Sequence, residues 1–334
     1  MSAIVVPQMK IKTNSRHRLL QFALCVFAAP TITAQSHCCD TAAQRMKQTV
    51  EILSAPAMEG RGPGTSGLDA SAEFIRGEFR KAGLKSGAPD GTFFQSFVYA
   101  PGPSGKELRL RNVIGELEAT TGSTQESIII GAHYDHLGFG PAFSLAPEDQ
   151  KHSLHPGADD NASGVAMILE LAHYFADQGI HPHKRIIFIA FSGEEEGDLG
   201  SHYYVGHPIV PLADTITMIN LDMVGRVREN ILGIAGNKSG DSFDAMLDHA
   251  VLKSRLTLMR GGDQYPDDSD HAPFAAAGIP ILYVCSGSHE DRHRPSDTAD
   301  KINAQGMGDE AILLESLIDT LLQSPRPHFV ARPQ

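Results

Sequence analysis

Two short uninterrupted apolar runs constrain this chain most: Ile128-Ile-Ile-Gly-Ala132 and Arg185-Ile-Ile-Phe-Ile-Ala-Phe191. Neither alternates apolar with polar residues, so neither can turn one side to water. Each reads as a strand covered on both faces. Between them, Val165, Ile168, Leu169 and Ala172 mark one face of a helix. Further strands are expected at Phe94 to Val98, Leu108 to Leu117, Thr215 to Leu221, Ile231 to Ala235 and Pro280 to Val284. Further helices are expected near Thr41 to Leu53, up to Ala82 before Gly83, around Phe243 to Leu252 and near Ala311 to Leu322. Strands alternating with amphipathic helices predict an α/β fold: one domain, three layers α/β/α, with a mostly parallel mixed sheet. A chain of 334 residues is long enough for one large core of this kind.

The first 34 residues differ from the rest. Lys10, Lys12, Arg16 and Arg18 form a basic stretch without an acid, an apolar run follows from Leu19 to Ala29, and the segment closes on Thr33-Ala34. This is the layout of a signal peptide cut after Ala34. The apolar run is too short to span a bilayer comfortably, so no lasting membrane insertion is expected once the segment is removed. A domain from 35 to 334 would then work in the periplasm or outside the cell. The formal net charge of -12 argues against nucleic acid as a partner. Cys25 falls in the leader, leaving Cys38, Cys39 and Cys285. No C-x-x-C spacing offers a thiolate metal site, and one disulfide from Cys38 or Cys39 to Cys285 is possible.

In an open α/β sheet, sites form where the chain leaves the carboxyl ends of strands. The residues at those points are His133-Tyr-Asp135-His136, then Glu194-Glu195-Glu196 after Phe191, then Asp222 after Leu221. The Pro280 to Val284 strand leads to His289 and on through Arg292-His293 to Asp297. Gly157-Ala-Asp159-Asp160-Asn-Ala-Ser-Gly164 opens a helix between the first two strands. Five segments would thus bring imidazoles and carboxylates to one sheet edge. Oxygen and nitrogen donors without thiolate suit zinc in an open, catalytic site. A lone His or Asp at a strand end is usually a cap or a surface group, but five in register at one edge are hard to assign to accident.

The strings that carry these residues resemble metallopeptidase family 28, the co-catalytic zinc aminopeptidases, over roughly Met58 to Ile302. They are Gly-Ala-His133-Tyr-Asp-His-Leu-Gly, Gly-Ala-Asp159-Asp-Asn-Ala-Ser-Gly, Glu194-Glu195-x-Gly-x-x-Gly-Ser, Asn220-Leu-Asp222-Met-Val-Gly and His293-x-Pro-x-Asp-Thr. The resemblance implies a zinc-exopeptidase fold without the family's inserted protease-associated domain, and two zinc ions per chain. Asp159 would bridge the metals, His133 and Asp222 would hold one, and Glu195 and His293 the other. Glu194 would act as general base, and Asp135 would orient His133. The family's Asp159-Asp160 peptide would be cis. Many relatives carry Tyr before the last His ligand; here that residue is Arg292, so Tyr265 is the expected oxyanion donor and Arg292 its alternative. His136 and His271 are expected to stand behind the ligands.

The resulting expectation is an exported metallo-aminopeptidase acting on peptides with a free amino terminus. A glutaminyl cyclase or a carboxypeptidase on the same scaffold is the alternative, and a non-catalytic binding relative a weaker one. Gly62-Pro-Gly64-Thr-Ser-Gly67 matches a dinucleotide fingerprint but follows no strand. The sequon Asn161-Ala-Ser163 lies inside the presumed metal loop, and no G-x-S-x-G elbow supports a serine hydrolase.

Overall fold

The computed structural model describes residues 32–88, 90–100, 107–119, 124–177 and 182–332, with side chains described from Thr41 onward. The expected leader therefore lies almost wholly outside the described residues, as do the side chains of Cys38 and Cys39. The helices are α1 (Ile32–Leu53), α2 (Ser66–Lys81), α3 (Gly164–Asp177), α4 (Leu199–Gly206), α5 (Phe243–Val251), α6 (Ala272–Ala276) and α7 (Ala304–Gln323). The strands are β1 (Lys85–Ser86), β2 (Phe94–Tyr99), β3 (Leu108–Leu117), β4 (Ser127–His133), β5 (Arg185–Phe191), β6 (Thr215–Leu221), β7 (Ile231–Ala235), β8 (Thr257–Gly262) and β9 (Ile281–Cys285).

All nine strands join one sheet in the order β1-β3-β5-β4-β6-β9-β7-β8, with β2 paired to β3. The four central strands, β5, β4, β6 and β9, run parallel, while β3 and β7 meet them antiparallel at either side. Along β4 and β5 successive side chains enter opposite cores. Ile128 and Ile130, with Ile186, Phe188 and Ala190, pack under α1, α2, α3, α5 and α7. Ile129, with Ile187, Ile189 and Phe191, packs with Tyr204 of α4 and Phe274 of α6. Two faces buried at once explain why these strands carry unbroken apolar runs. The fold is the expected α/β architecture with helices on both sides of the sheet.

The three short elements β1, α4 and α6 and the edge strand β8 were not expected from the sequence. They are brief or exposed at alternate positions, so they carry little periodic signal. What the order does for function is to place a switch point at β4. The chain leaves β4 toward β5 on one side and returns to β6 on the other, opening a crevice above their carboxyl ends. No helix among the described residues is long and apolar enough to cross a membrane.

Candidate metal centre

Each expected donor projects from the end of a central strand or the loop after it. His133 is the last residue of β4, Glu194 and Glu195 follow β5, Asp222 follows β6, and His293 lies eight residues beyond β9. The fifth segment, Ala158–Ser163, is a tight turn entering α3. Around His133 Nε2 stand Asp160 Oδ1 at 3.5 Å, Asp222 Oδ1 at 3.6 Å and Glu194 Oε2 at 3.8 Å. Around His293 Nε2 stand Asp160 Oδ2 at 3.1 Å and Glu195 Oε2 at 3.2 Å.

One aspartate therefore faces both clusters, and it is Asp160. Asp159 was the expected bridge, and that expectation is corrected. Its Oδ1 accepts the Gly225 amide at 2.6 Å and its Oδ2 meets His289 Nε2 at 2.9 Å, away from both histidines. The cis peptide is likewise one step further on, between Asp160 and Asn161. Two consecutive aspartates in one turn point in opposite directions, so the string alone could not assign them. Asp297 sets the turn by accepting the amides of Asp159 at 2.9 Å and Asp160 at 3.1 Å. Asn161 ties the turn to β6 through Leu221 O and is wholly buried, which closes the sequon to modification.

The donor set fits zinc. Two ligands about 2.0–2.2 Å from a tetrahedral ion stand roughly 3.3–3.6 Å apart, close to the spacings found here. Asp160 Oδ2 and His293 Nε2 are buried and lack hydrogen-bond partners, as ligand atoms do before a cation arrives. Four carboxylates gathered this closely also repel each other. Burial pushes Glu194 well above the usual carboxylate range, and the Glu195 and Asp222 charges add to the rise. Burial opposes the charge on Glu195 too, yet the hydrogen bond from His136 and the adjoining His293 imidazole hold it down at about 2. Burial would lower His293, but Asp160 and Glu195 raise it to about 10.

Two groups of three donors lie mutually within 4.8 Å: His133, Glu194 and Asp222, and His136, Asp160 and Glu195. For the second group the better imidazole is His293. Its Nδ1 donates to Phe143 O at 2.9 Å, freeing Nε2 for a metal, whereas His136 Nδ1 is taken by Glu195 Oε1 at 2.7 Å. His136 thus stands behind a ligand, as expected. So does His271: burial lowers it to about 4, and Asn220 and Ser269 connect it to Asp222.

Asp135 works differently from expectation. Its carboxylate is 4.0 Å from His133 Nδ1, too far for a hydrogen bond, and its backbone carbonyl approaches that nitrogen at 3.2 Å instead. The carboxylate accepts the amides of Gly193 at 2.7 Å, Glu194 at 3.1 Å and Glu195 at 3.3 Å. It therefore holds both glutamates in place. Tyr265 is also corrected. Its ring lies under the Arg332 guanidinium at 3.8 Å, and it does not line the cleft. Arg292 does, with Nε 3.9 Å from Asp160 Oδ2, and so does Tyr283, whose hydroxyl lies 3.4 Å from Asp222 Oδ2. Cys285 lines the same cleft as a free thiol among the described residues, and the side chains of its possible partners Cys38 and Cys39 lie outside them.

Arg61 was missed altogether. Wholly buried, it donates to the carbonyls of Tyr134, Leu53, Pro156 and Gly157 at 2.7–2.8 Å, tying together the end of α1, the exit from β4 and the approach to the Asp159 turn. Burial lowers it to about 10, so it stays charged. Its signal was only an arginine between two glycines.

Comparison with known proteins identifies the family and the fold. The profile of peptidase family M28 matches residues 112–317. The chain is 31% identical over 209 residues to aminopeptidase YwaD of Bacillus subtilis, covering 58% of this chain and 41% of that one. It is 25% identical over 314 residues to the uncharacterized protein YfbL of Escherichia coli, covering 84% and 88%. The chain thus spans less than half the length of the first curated relatives it matches, though nearly all of YfbL. In fold it is similar to a leucine aminopeptidase precursor from Bacteroides thetaiotaomicron, with a TM-score of 0.67, 22% identity and 84% and 96% coverage. A glutaminyl cyclase from the same organism is similar to the same degree, with a TM-score of 0.67, 21% identity and 84% and 97% coverage.

Proposed function

The chain belongs to peptidase family M28, and from that membership we propose that it is an exported two-zinc aminopeptidase. The observation that carries this reading is Asp160, one carboxylate whose two oxygens face two separate histidine–acid clusters. His133 and Asp222 would hold one zinc, Glu195 and His293 the other, and Asp160 both. When bound, the zinc pair lowers the pKa of water and polarises the scissile carbonyl.

The chain's own groups supply the rest. Glu194 sits between the loop whose amides Asp135 holds and His133, its Oε2 3.8 Å from that imidazole. It accepts the proton of the attacking water and passes it to the leaving amine. Arg292, whose Nε stands 3.9 Å from Asp160 Oδ2, offers a cation to the oxygen that becomes negative. Met223, Tyr283 and Cys285 give the cleft, about 270 Å³, a wall for the first side chain, and its carboxylates suit a free ammonium. Export rests on the basic-then-apolar leader, and amino-terminal sequencing of protein recovered outside the cytoplasm should begin near Gln35.

The test pairs metal analysis with blocked and unblocked peptides. Two zinc ions per chain and turnover abolished by acetylating the substrate's amino terminus are expected. One zinc per chain with cyclisation of glutaminyl peptides would replace this reading with a cyclase. Internal cleavage of the acetylated peptide would replace it with an endopeptidase.

A further inference from the structure

Beside His293 the chain displays a strip of apolar side chains that face solvent more than they face the core. Phe139, Phe143 and Leu145 are each more than half exposed (51%, 57% and 53%). Three of the ten large apolar side chains exposed among the described residues thus fall within seven positions, where scattered single ones are the norm. The strip does not lie on a loose loop. Gly138 N donates to Gly60 O at 3.1 Å, His155 N donates to Gly138 O at 2.8 Å, and Ser144 Oγ meets His155 Nε2 at 2.7 Å. Two bonds then fasten it to the metal centre: Leu145 N donates to His293 O at 3.0 Å and His293 Nδ1 donates to Phe143 O at 2.9 Å. Phe143 holds φ at 56°, a left-handed value uncommon for a bulky residue, and so its carbonyl serves His293 while its ring stays in solvent.

The cleft proper is lined by Met223, Tyr283, Cys285, Arg292 and His293 beside the carboxylates, and none of the three strip residues belongs to that lining. A residue seated in the cleft with its amine at the carboxylates leaves the strip to whatever follows the scissile bond. We infer that residues 139–145 form a docking strip for apolar side chains on the leaving-group side of the substrate. The enzyme is then selective for peptides whose second and third residues are apolar. This rests on the aminopeptidase reading and adds the class of peptide that it cleaves.

The experiment compares kcat/KM for Leu-Phe-Leu and Leu-Ser-Ser in the zinc-loaded parent and in a Phe139→Ser, Leu145→Ser double variant, which spares the Phe143 carbonyl. The parent is expected to favour Leu-Phe-Leu by about 10-fold or more, a usual margin for apolar contacts, and the double variant to lose most of that margin. Calorimetric binding of an uncleavable reduced-bond analogue of Leu-Phe-Leu should weaken in step. No preference in the parent, or a preference that survives the double substitution, overturns the strip. So does loss of a concentration-dependent dimer in the variant with the preference unchanged, which would make the strip a contact between copies. If the parent cleaves neither unblocked peptide, the aminopeptidase reading fails first and the strip falls with it.

Discussion

At the scale of single residues, neighbours in sequence hold different work because the backbone turns between them. Glu194 and Glu195 share the amides held by Asp135, yet one carboxylate faces His133 and the other His136 and His293. Glu194→Gln should keep both zinc ions while turnover drops by about 10²–10⁴-fold, the range for losing a general acid–base group. Glu195→Gln should bind one zinc far more weakly and recover partly when zinc is added. Asp160→Asn should release metal and Asp159→Asn should not; plasma emission analysis of the four variants, paired with kinetics at several zinc concentrations, decides all of these, and metal loss confined to Asp159→Asn would reverse the assignment. Arg61 makes a separate point about stability. Lysine in its place keeps the charge but cannot reach four carbonyls in a fixed fork, leaving buried acceptors unpaired. Arg61→Lys should cost about 2–4 kcal/mol in urea unfolding, from the usual penalty of one or two buried orphans.

At the scale of elements, the central strands were legible because burial on both faces writes an unbroken apolar run. The edge elements were not, because β8 alternates exposed with half-buried positions and α6 has only five residues. Helix α7 carries a titratable strain of its own. Glu315 is raised to about 8, chiefly by burial and then by Glu170 and Asp319, with Arg45 opposing. A carboxyl raised in the folded state binds its proton more tightly there than when unfolded. Its contribution is fully present below the unfolded value near 4.5 and is lost as pH rises toward 8. Glu315→Gln should therefore raise Tm by a few degrees at pH 8 and change it little at pH 4, as scanning calorimetry at both pH values would show. An equal gain at both values would mean that the carboxyl is not raised.

At the scale of the whole molecule, the strand ends gather four carboxylates, Asp160, Glu194, Glu195 and Asp222, around the His133 and His293 imidazoles. Zinc binds the folded site and not the dispersed chain, so its removal should lower Tm. Saturation at 100 times Kd stabilises a fold by about 2.7 kcal/mol per site. Melting with and without a chelator, followed by zinc restoration, measures this, and a Tm indifferent to chelator would mean that the donors hold no metal. The same convergence explains why the resemblance spans separated strings: each belongs to a different strand end, and only the switch point at β4 brings them together.

The sequence by itself determined the layered α/β architecture, the strand ends that bear the chemistry and the types of donor found there. Buried strands, turn glycines and metal-ligand side chains are each written locally. Tertiary structure alone decided which of Asp159 and Asp160 faces the histidines, since that depends on the Asp297 carboxylate, more than 130 positions away, taking both their amides. It also decided that Tyr265 belongs to Arg332 rather than to the cleft, that Asp135 grips the glutamate loop, and that Arg61 ties α1, the exit from β4 and the Asp159 turn together. Each of these rests on hydrogen bonds or ring contacts between segments far apart along the chain, whose directions no spacing in the sequence encodes.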